Sequence, residues 1–392
     1  MIAITTDTIV EQRVSKRRLF DTILVKVSAR CNLACSYCYF FFSEDQRWRQ
    51  QPPHLAAPLW DALAQNLSDL SEHQDGGFAV VLHGGEPLLL GEQKLKNGLK
   101  CLRRALPNER VPISIQTNGA LITNELLEIC SEFRTTLSVS IDGPEEVHDQ
   151  FRLTHRGESS FEKTRRGISL LRSHHDANFL FSGTLTVINP DYRPEYVYRF
   201  LKTLGSPKLD FLYRDGNHDR LPRGKASFDS TEFGDWLCSL WDCYIADPSP
   251  VPIRILDDIA KLILGAKNQK EGLGVRDFSI AIVDTDGSIA KNDTLKNSHQ
   301  GADCFEQRWN IATDRLVDVA STEEYRQYLS LQRPSSTICR NCAHLNVCGG
   351  GMSLYRWRRG SAYDNPSVYC FDHQRIITHI EASLKTHLCI VP

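Results

Sequence analysis

The stretch "TILVKVSARCNLACSYCYF" (Thr22–Phe40) decides the fold. Thr22–Ser28 reads as a buried strand that ends just before Cys31. Cys31, Cys35 and Cys38 then follow in a loop, spaced CxxxCxxC. A zinc site usually takes four protein ligands and a disulfide takes two, so three thiolates point to something held with an open position. Three cysteines can hold three irons of a 4Fe–4S cluster and leave the fourth iron for a substrate or cofactor. Spacing alone leaves two other readings open: an incidental group of cysteines, or zinc with a distant fourth ligand.

Working outward, strands and helices alternate. Leu59–Leu70 has helical spacing, and Phe78–Leu89 is a strand running into a glycine turn. "VPISIQTNG", "TLSVSIDGP", "FLFSGTLTVIN" and "KLDFLYR" read as strands, with helix-like segments between them. Six strand–helix steps predict parallel strands with right-handed crossovers, a partial (β/α)6 TIM-like barrel. In such a barrel the C-terminal rim of the strands is where chemistry is done. "DRLPRGKASFDS" (Asp219–Ser230) reads as a linker, and "FSIAIVDTDGSIAKND" as a hairpin around Asp286-Gly287. The expected organisation is an N-terminal segment (1–20), the barrel (21–218), a linker with bridging helices (219–275) and a smaller cysteine-rich domain (276–392).

Composition agrees with a soluble globular protein: 41% hydrophobic, 24% charged and net charge −2. That balance argues against bulk binding to nucleic acid or to an anionic membrane. No apolar run is long enough to span a bilayer, and the basic cluster follows the apolar part of the N-terminus, the reverse of a signal peptide. Thirteen cysteines without a secretion signal predict metal or redox chemistry in a cytoplasmic, reducing setting.

"CNLACSYC" resembles the signature of the radical S-adenosylmethionine (SAM) superfamily. The resemblance implies that the open iron binds the amino and carboxylate groups of SAM. One electron from the cluster then cleaves SAM to methionine and a 5′-deoxyadenosyl radical, which abstracts hydrogen from the substrate. It implies further that Tyr37 lies near the adenine. "HGGEP" is similar to the family's motif for the SAM amino group, carried by Gly84, Gly85, Glu86 and Pro87. "QTNG" (Thr117, Asn118) and "SVSIDG" (Ser140, Asp142) fall where the family makes polar contacts to SAM, with Ser140 on the ribose. Arg152 matches an arginine that pairs with the SAM carboxylate. This resemblance runs from about Thr22 to Arg214.

A second set, Cys339, Cys342, Cys348 and Cys370, suits a closed site, and spacing alone leaves zinc and iron–sulfur equal. Behind a radical SAM domain it resembles the SPASM extension, whose outer auxiliary 4Fe–4S cluster would take these four ligands. A full SPASM domain has a second auxiliary cluster, yet Met352 and Asn292 stand at two of its ligand positions. Cys304 is expected to be a buried structural thiol, with a stray cluster ligand as the alternative. Cys101, Cys130, Cys238, Cys243 and Cys389 are expected to be packing residues. In related sulfatase-maturing enzymes an aspartate after the Gly-x4-Cys position acts as base, and here that aspartate is Asp293. A solvated or turn-capping Asp is the bland alternative.

"DQRWRQQPP", "HGGEPLLLG", "GDWL", "NDTLK" and "CGGG" with "NPSVYC" resemble the cyclophane-forming peptide maturases. These join an aromatic ring carbon to the β-carbon of a residue two positions later in a ribosomally made precursor peptide. The implied partners are that peptide and an electron donor such as flavodoxin or ferredoxin. About twenty residues precede the first strand, too few for a winged-helix leader-binding domain. Leader recognition is therefore expected from the body of the chain, the N-terminal segment ("VSKRR", Val14–Arg18) or a partner. The alternatives are another SPASM maturase, thioether-forming or oxidising a sulfatase, and a non-enzymatic zinc-binding adaptor.

Overall fold

A computed structural model describes residues 18–106, 111–267 and 270–388. Six strands run parallel in sequence order: β1 (Thr22–Ser28), β2 (Ala79–Gly84), β3 (Ile113–Thr117), β4 (Thr135–Ser140), β5 (Phe181–Val187) and β6 (Leu209–Leu212). Each crossover carries at least one helix, such as Ala57–His73 between β1 and β2 or Glu92–Ala105 between β2 and β3. β6 pairs with β5 and with no other named strand, so this parallel section is open, as a partial barrel requires.

The sheet does not stop at β1. β7 (Ile280–Val283) pairs with β1 in parallel, and β8 (Ser288–Ala290) and β9 (Trp309–Asn310) extend it antiparallel. The expected hairpin at Asp286-Gly287 is present, and it is bonded directly to the first strand of the barrel. One hydrophobic core accordingly runs from Phe20 through the sheet to Ile380. Residues Ile23, Val25 and Val27 are fully buried within it. Each such side chain contributes about 1.5–3 kcal/mol over its exposed state. Among the described residues, no helix is long and apolar enough to cross a membrane.

The fifth strand begins later than the apolar run suggests. Ala177–Leu180 forms a short helix, and the strand opens at Phe181. A contiguous apolar run has no periodicity to separate helix from strand.

Lys26 is an anomaly in β1, with its side chain fully buried. Its Nζ lies 2.9 Å from Asp284 Oδ2 and 2.7 Å from Asp293 Oδ1. Lys296 Nζ adds a contact of 3.2 Å to Asp293. The Phe40 ring, two residues past Cys38, sits 4.8 Å from Lys26 Nζ and 5.2 Å from Lys296 Nζ. This charge cluster pins the cysteine loop of the barrel to the far end of the hairpin.

Candidate active site

The C-terminal ends of the six strands surround a cavity of about 200 Å³. Cys31, Cys35 and Cys38 line it together with Tyr37, Gly84, Gly85, Thr117, Asn118, Ser140 and Arg152. Gly84 is at φ +124°, and a Cβ there would meet Ser28 O at 2.1 Å. A Cβ on Gly85 would meet Arg30 O at 2.3 Å. Both glycines therefore let the β2 turn close against the cysteine loop.

Tyr37 is clamped. Its hydroxyl donates to Asp142 Oδ2 (2.6 Å) and accepts from Arg152 Nη1 (2.6 Å). Gln116 Nε2 donates to Ser140 Oγ (2.9 Å). Glu86 does not line the cavity and is only 1% exposed. It accepts from Thr117 Oγ1 (2.7 Å), Leu88 N (3.0 Å) and Asn118 N (2.8 Å), and so ties the turns after β2 and β3 together. Burial raises its carboxyl above the ordinary range. Pro87 and Asp142 are buried and likewise do not line the cavity.

Burial pushes the Cys31 thiol up to about 12 and the Cys38 thiol to about 11. Such thiols become thiolates only with a bound cation. Among the described residues, neither cysteine set gathers three sulfurs within 4.8 Å of one another. One zinc ion would draw them to roughly 3.8 Å apart. The three-thiol set, with one coordination position open, thus fits a 4Fe–4S cluster better than a single ion. Arg152 Nε, Arg214 Nε and Arg214 Nη2 are buried at this wall without a partner, which fits a bound carboxylate group.

The second cysteine set also converges. Cys339 lies in the short helix Thr337–Arg340, Cys348 ends another, and Cys370 opens the C-terminal helix Cys370–Leu388. Burial pushes Cys348 up to about 12, with the charges of Cys370, Cys339 and Cys342 adding to it. His373 Nδ1 lies 3.2 Å from Cys348 Sγ, and Gln374 Nε2 donates to Cys370 Sγ (3.3 Å). Four thiols, two of them with hydrogen-bonded sulfurs, fit an auxiliary 4Fe–4S cluster.

A second auxiliary cluster does not fit. Asn292 Oδ1 accepts from Thr294 N (3.0 Å), and its Nδ2 donates to Glu271. Met352 packs against Gly272, and the space beside them holds about 10 Å³, the volume of one water.

Cys304 is half-buried against the Arg47 guanidinium. Cys130 and Cys238 are core residues, with Cys101 and Cys243 packed against that core. Cys389 and residues 14–17 lie outside the described residues.

Asp293 is 3% exposed and does not reach the cavity wall. Burial raises its carboxyl, but the ammonium groups of Lys26 and Lys296 overcome that and bring it to about 2. It is a weak base held in an ion-pair cluster. The wall also carries Gln116, from the "QTNG" turn, and four residues that no motif marked: Tyr39, Tyr213, Arg214 and Asp215. The last three directly follow β6, and the strand-end rule was the one signal that could have found them. An outer cavity of about 440 Å³ adjoins, lined by Glu44, Asn217, Arg220, Asn297 and Arg359, and it shares Asp215 with the first.

Residues 25–204 match the family model of the radical SAM superfamily. The chain is 26% identical to a serine-type anaerobic sulfatase-maturating enzyme of Bacteroides thetaiotaomicron, covering 86% of this chain and 83% of the relative. It is 25% identical to a cysteine-type anaerobic sulfatase-maturating enzyme of Clostridium perfringens, covering 91% and 95%. The structure of anSMEcpe with bound AdoMet superposes with TM-score 0.80 at 21% identity, covering 94% of this chain and all of that one. Streptococcus suis SuiB bound to precursor peptide SuiA gives TM-score 0.63 at 14% identity, covering 90% and 76%.

Proposed function

We propose that this chain, a radical SAM protein over residues 25–204, is a maturase that oxidises a side chain of a bound polypeptide at its β-carbon. The observation that carries the reading is the junction at Asp215 between the cysteine-lined cavity and the outer polar cavity. A polypeptide in the outer cavity can present one side chain inward.

Cys31, Cys35 and Cys38 would hold a 4Fe–4S cluster, and the cavity they line would take SAM. When bound, the pair supplies a 5′-deoxyadenosyl radical able to take a hydrogen atom from an unactivated carbon. The chain's own residues bind and orient. Gly84 and Gly85 would admit the ligand close to the backbone, and Arg152 would pair with its carboxylate. Tyr37, fixed by Asp142, closes one side. Thr117, Asn118 and Ser140 offer polar contacts, with Glu86 and Pro87 setting the turn. Leu185, Val187 and Leu212 give an apolar wall that excludes water from the reacting atoms. Cys339, Cys342, Cys348 and Cys370 hold one auxiliary 4Fe–4S cluster, and flavodoxin or ferredoxin is the electron donor.

This assignment predicts about eight irons per chain after anaerobic reconstitution, from two 4Fe–4S clusters. Cys370→Ala should fall to about four irons while keeping the SAM-binding cluster. Iron analysis checks both, and an unchanged content in the variant would remove Cys370 as a ligand.

The sulfatase-maturating relatives favour, as substrate, a serine or cysteine in a sulfatase segment. A second reading is cyclophane formation in a precursor peptide. It is favoured by "DQRWRQQPP", "NDTLK" and "NPSVYC", and by the filled second auxiliary position. One experiment separates them. The reconstituted protein, SAM and a reductant are incubated with two peptides: a serine-containing sulfatase segment, and the small peptide encoded beside the gene. The first reading gives a carbonyl that a hydrazine traps. The second gives loss of two hydrogens with an aromatic ring joined to a β-carbon two positions on. No change in either peptide contradicts the proposal.

A further inference from the structure

We infer that Asp215 is a catalytic residue, the group that takes the proton leaving the substrate as it is oxidised. This deepens the maturase reading and rests on it. Asp215 lies just beyond β6, on the strand-end rim. Among the described residues, it alone lines both the cysteine-lined cavity and the outer one. A side chain passing from one cavity to the other would pass Asp215.

The environment of that carboxylate differs from that of Asp293. Its side-chain hydrogen bond comes from a neutral donor, Asn297 Nδ2 at 3.1 Å. Asp293 is clamped at 2.7 Å by the Lys26 ammonium and at 3.2 Å by that of Lys296. Burial raises Asp215 to about 7, against the opposing effects of Asn297 and Arg220. A proton acceptor works best when its own pKa lies near the working pH. Asp215 also opens onto the outer cavity, which gives the proton a way to solvent.

Taking a hydrogen atom from the β-carbon leaves a carbon radical. Completing the oxidation removes one proton and one electron in either reading. For a serine, the O–H bond breaks and the carbon–oxygen double bond forms. For a cross-link, the new carbon–carbon bond forms first, and the ring C–H bond then breaks to restore aromaticity. The proton goes to an Asp215 carboxylate oxygen, and the electron to an oxidised iron–sulfur centre acting as one-electron acceptor.

The test compares Asp215→Asn, Asp215→Glu and Asp293→Asn in the reconstituted enzyme, with whichever of the two peptides the wild type modifies. The quantity read is peptide product formed per 5′-deoxyadenosine. Asp215→Asn should lower that ratio by at least about a hundredfold, the scale of general-base catalysis, and Asp215→Glu should restore part of it. Asp293→Asn should lower product and 5′-deoxyadenosine together. Binding of fluorescently labelled peptide to Asp215→Asn should stay within about threefold of wild type, as expected if binding is not its main role. A wild-type ratio in Asp215→Asn, a loss of peptide affinity there, or a fallen ratio in Asp293→Asn alone would overturn the assignment to Asp215 and leave the maturase reading intact. Failure of the wild type to modify either peptide would overturn both.

Discussion

Cys35→Ala is expected to abolish 5′-deoxyadenosine formation, leaving the background seen without protein. Three thiols fill the protein side of a 4Fe–4S cluster that keeps one iron open, and a set of two cannot fix it. The Arg152 charge opposes the burial that raises the Cys35 thiol. Iron should fall to about four per chain, because the auxiliary set is untouched. Far-UV circular dichroism should be unchanged, since Cys35 lies in a loop outside the strands and helices. Zinc at both sites with no iron would support the adaptor alternative instead.

Lys26→Met is expected to cost about 3–5 kcal/mol of stability, the scale for removing one partner of a buried ion pair. The methionine fills the same space, so the loss measures the charge left behind on Asp284 and Asp293. Urea unfolding at pH 7 reads it. The acid dependence follows from Asp293, whose pKa falls from 3.8 to about 2 in the folded chain. That depression contributes stability above pH 3.8, which is lost as the pH falls through about 2. With Lys26 gone, only the Lys296 ammonium depresses the carboxyl, so the variant should lose less stability than wild type between those pH values. The cysteine loop should loosen as well, because Phe40 rests on both ammonium groups. A variant as stable as wild type would contradict the view that this cluster holds the loop.

Local pattern carried most of the barrel into the sequence reading. β1 was legible at both ends because a seven-residue strand, five of its residues buried, stops at a cysteine loop. The helices were legible from their apolar spacing. Partners far apart in sequence were not. Lys26 bonds to residues 258 and 267 positions away, and no local periodicity encodes such a pairing. The parallel pairing of β7 with β1 escaped notice for the same reason, so the hairpin looked like part of a separate unit. Asp293 looked like a base because its motif marks its position along the chain and says nothing about the two lysines around it. Asp215 sits in an ordinary "YRDG" segment, and only its place on both cavities singles it out.

The filled second auxiliary position bears on how the enzyme works. With Asn292 bonded to Glu271 and Met352 packed against Gly272, the proposed enzyme has one auxiliary site in place of two. The central claim is hydrogen abstraction from a β-carbon of a bound polypeptide. Its most direct test is isotope transfer from a peptide deuterated at the β-carbons of its reacting residue. The account predicts 5′-deoxyadenosine heavier by one mass unit, formed together with modified peptide. Modified peptide accompanied by unlabelled 5′-deoxyadenosine would contradict it.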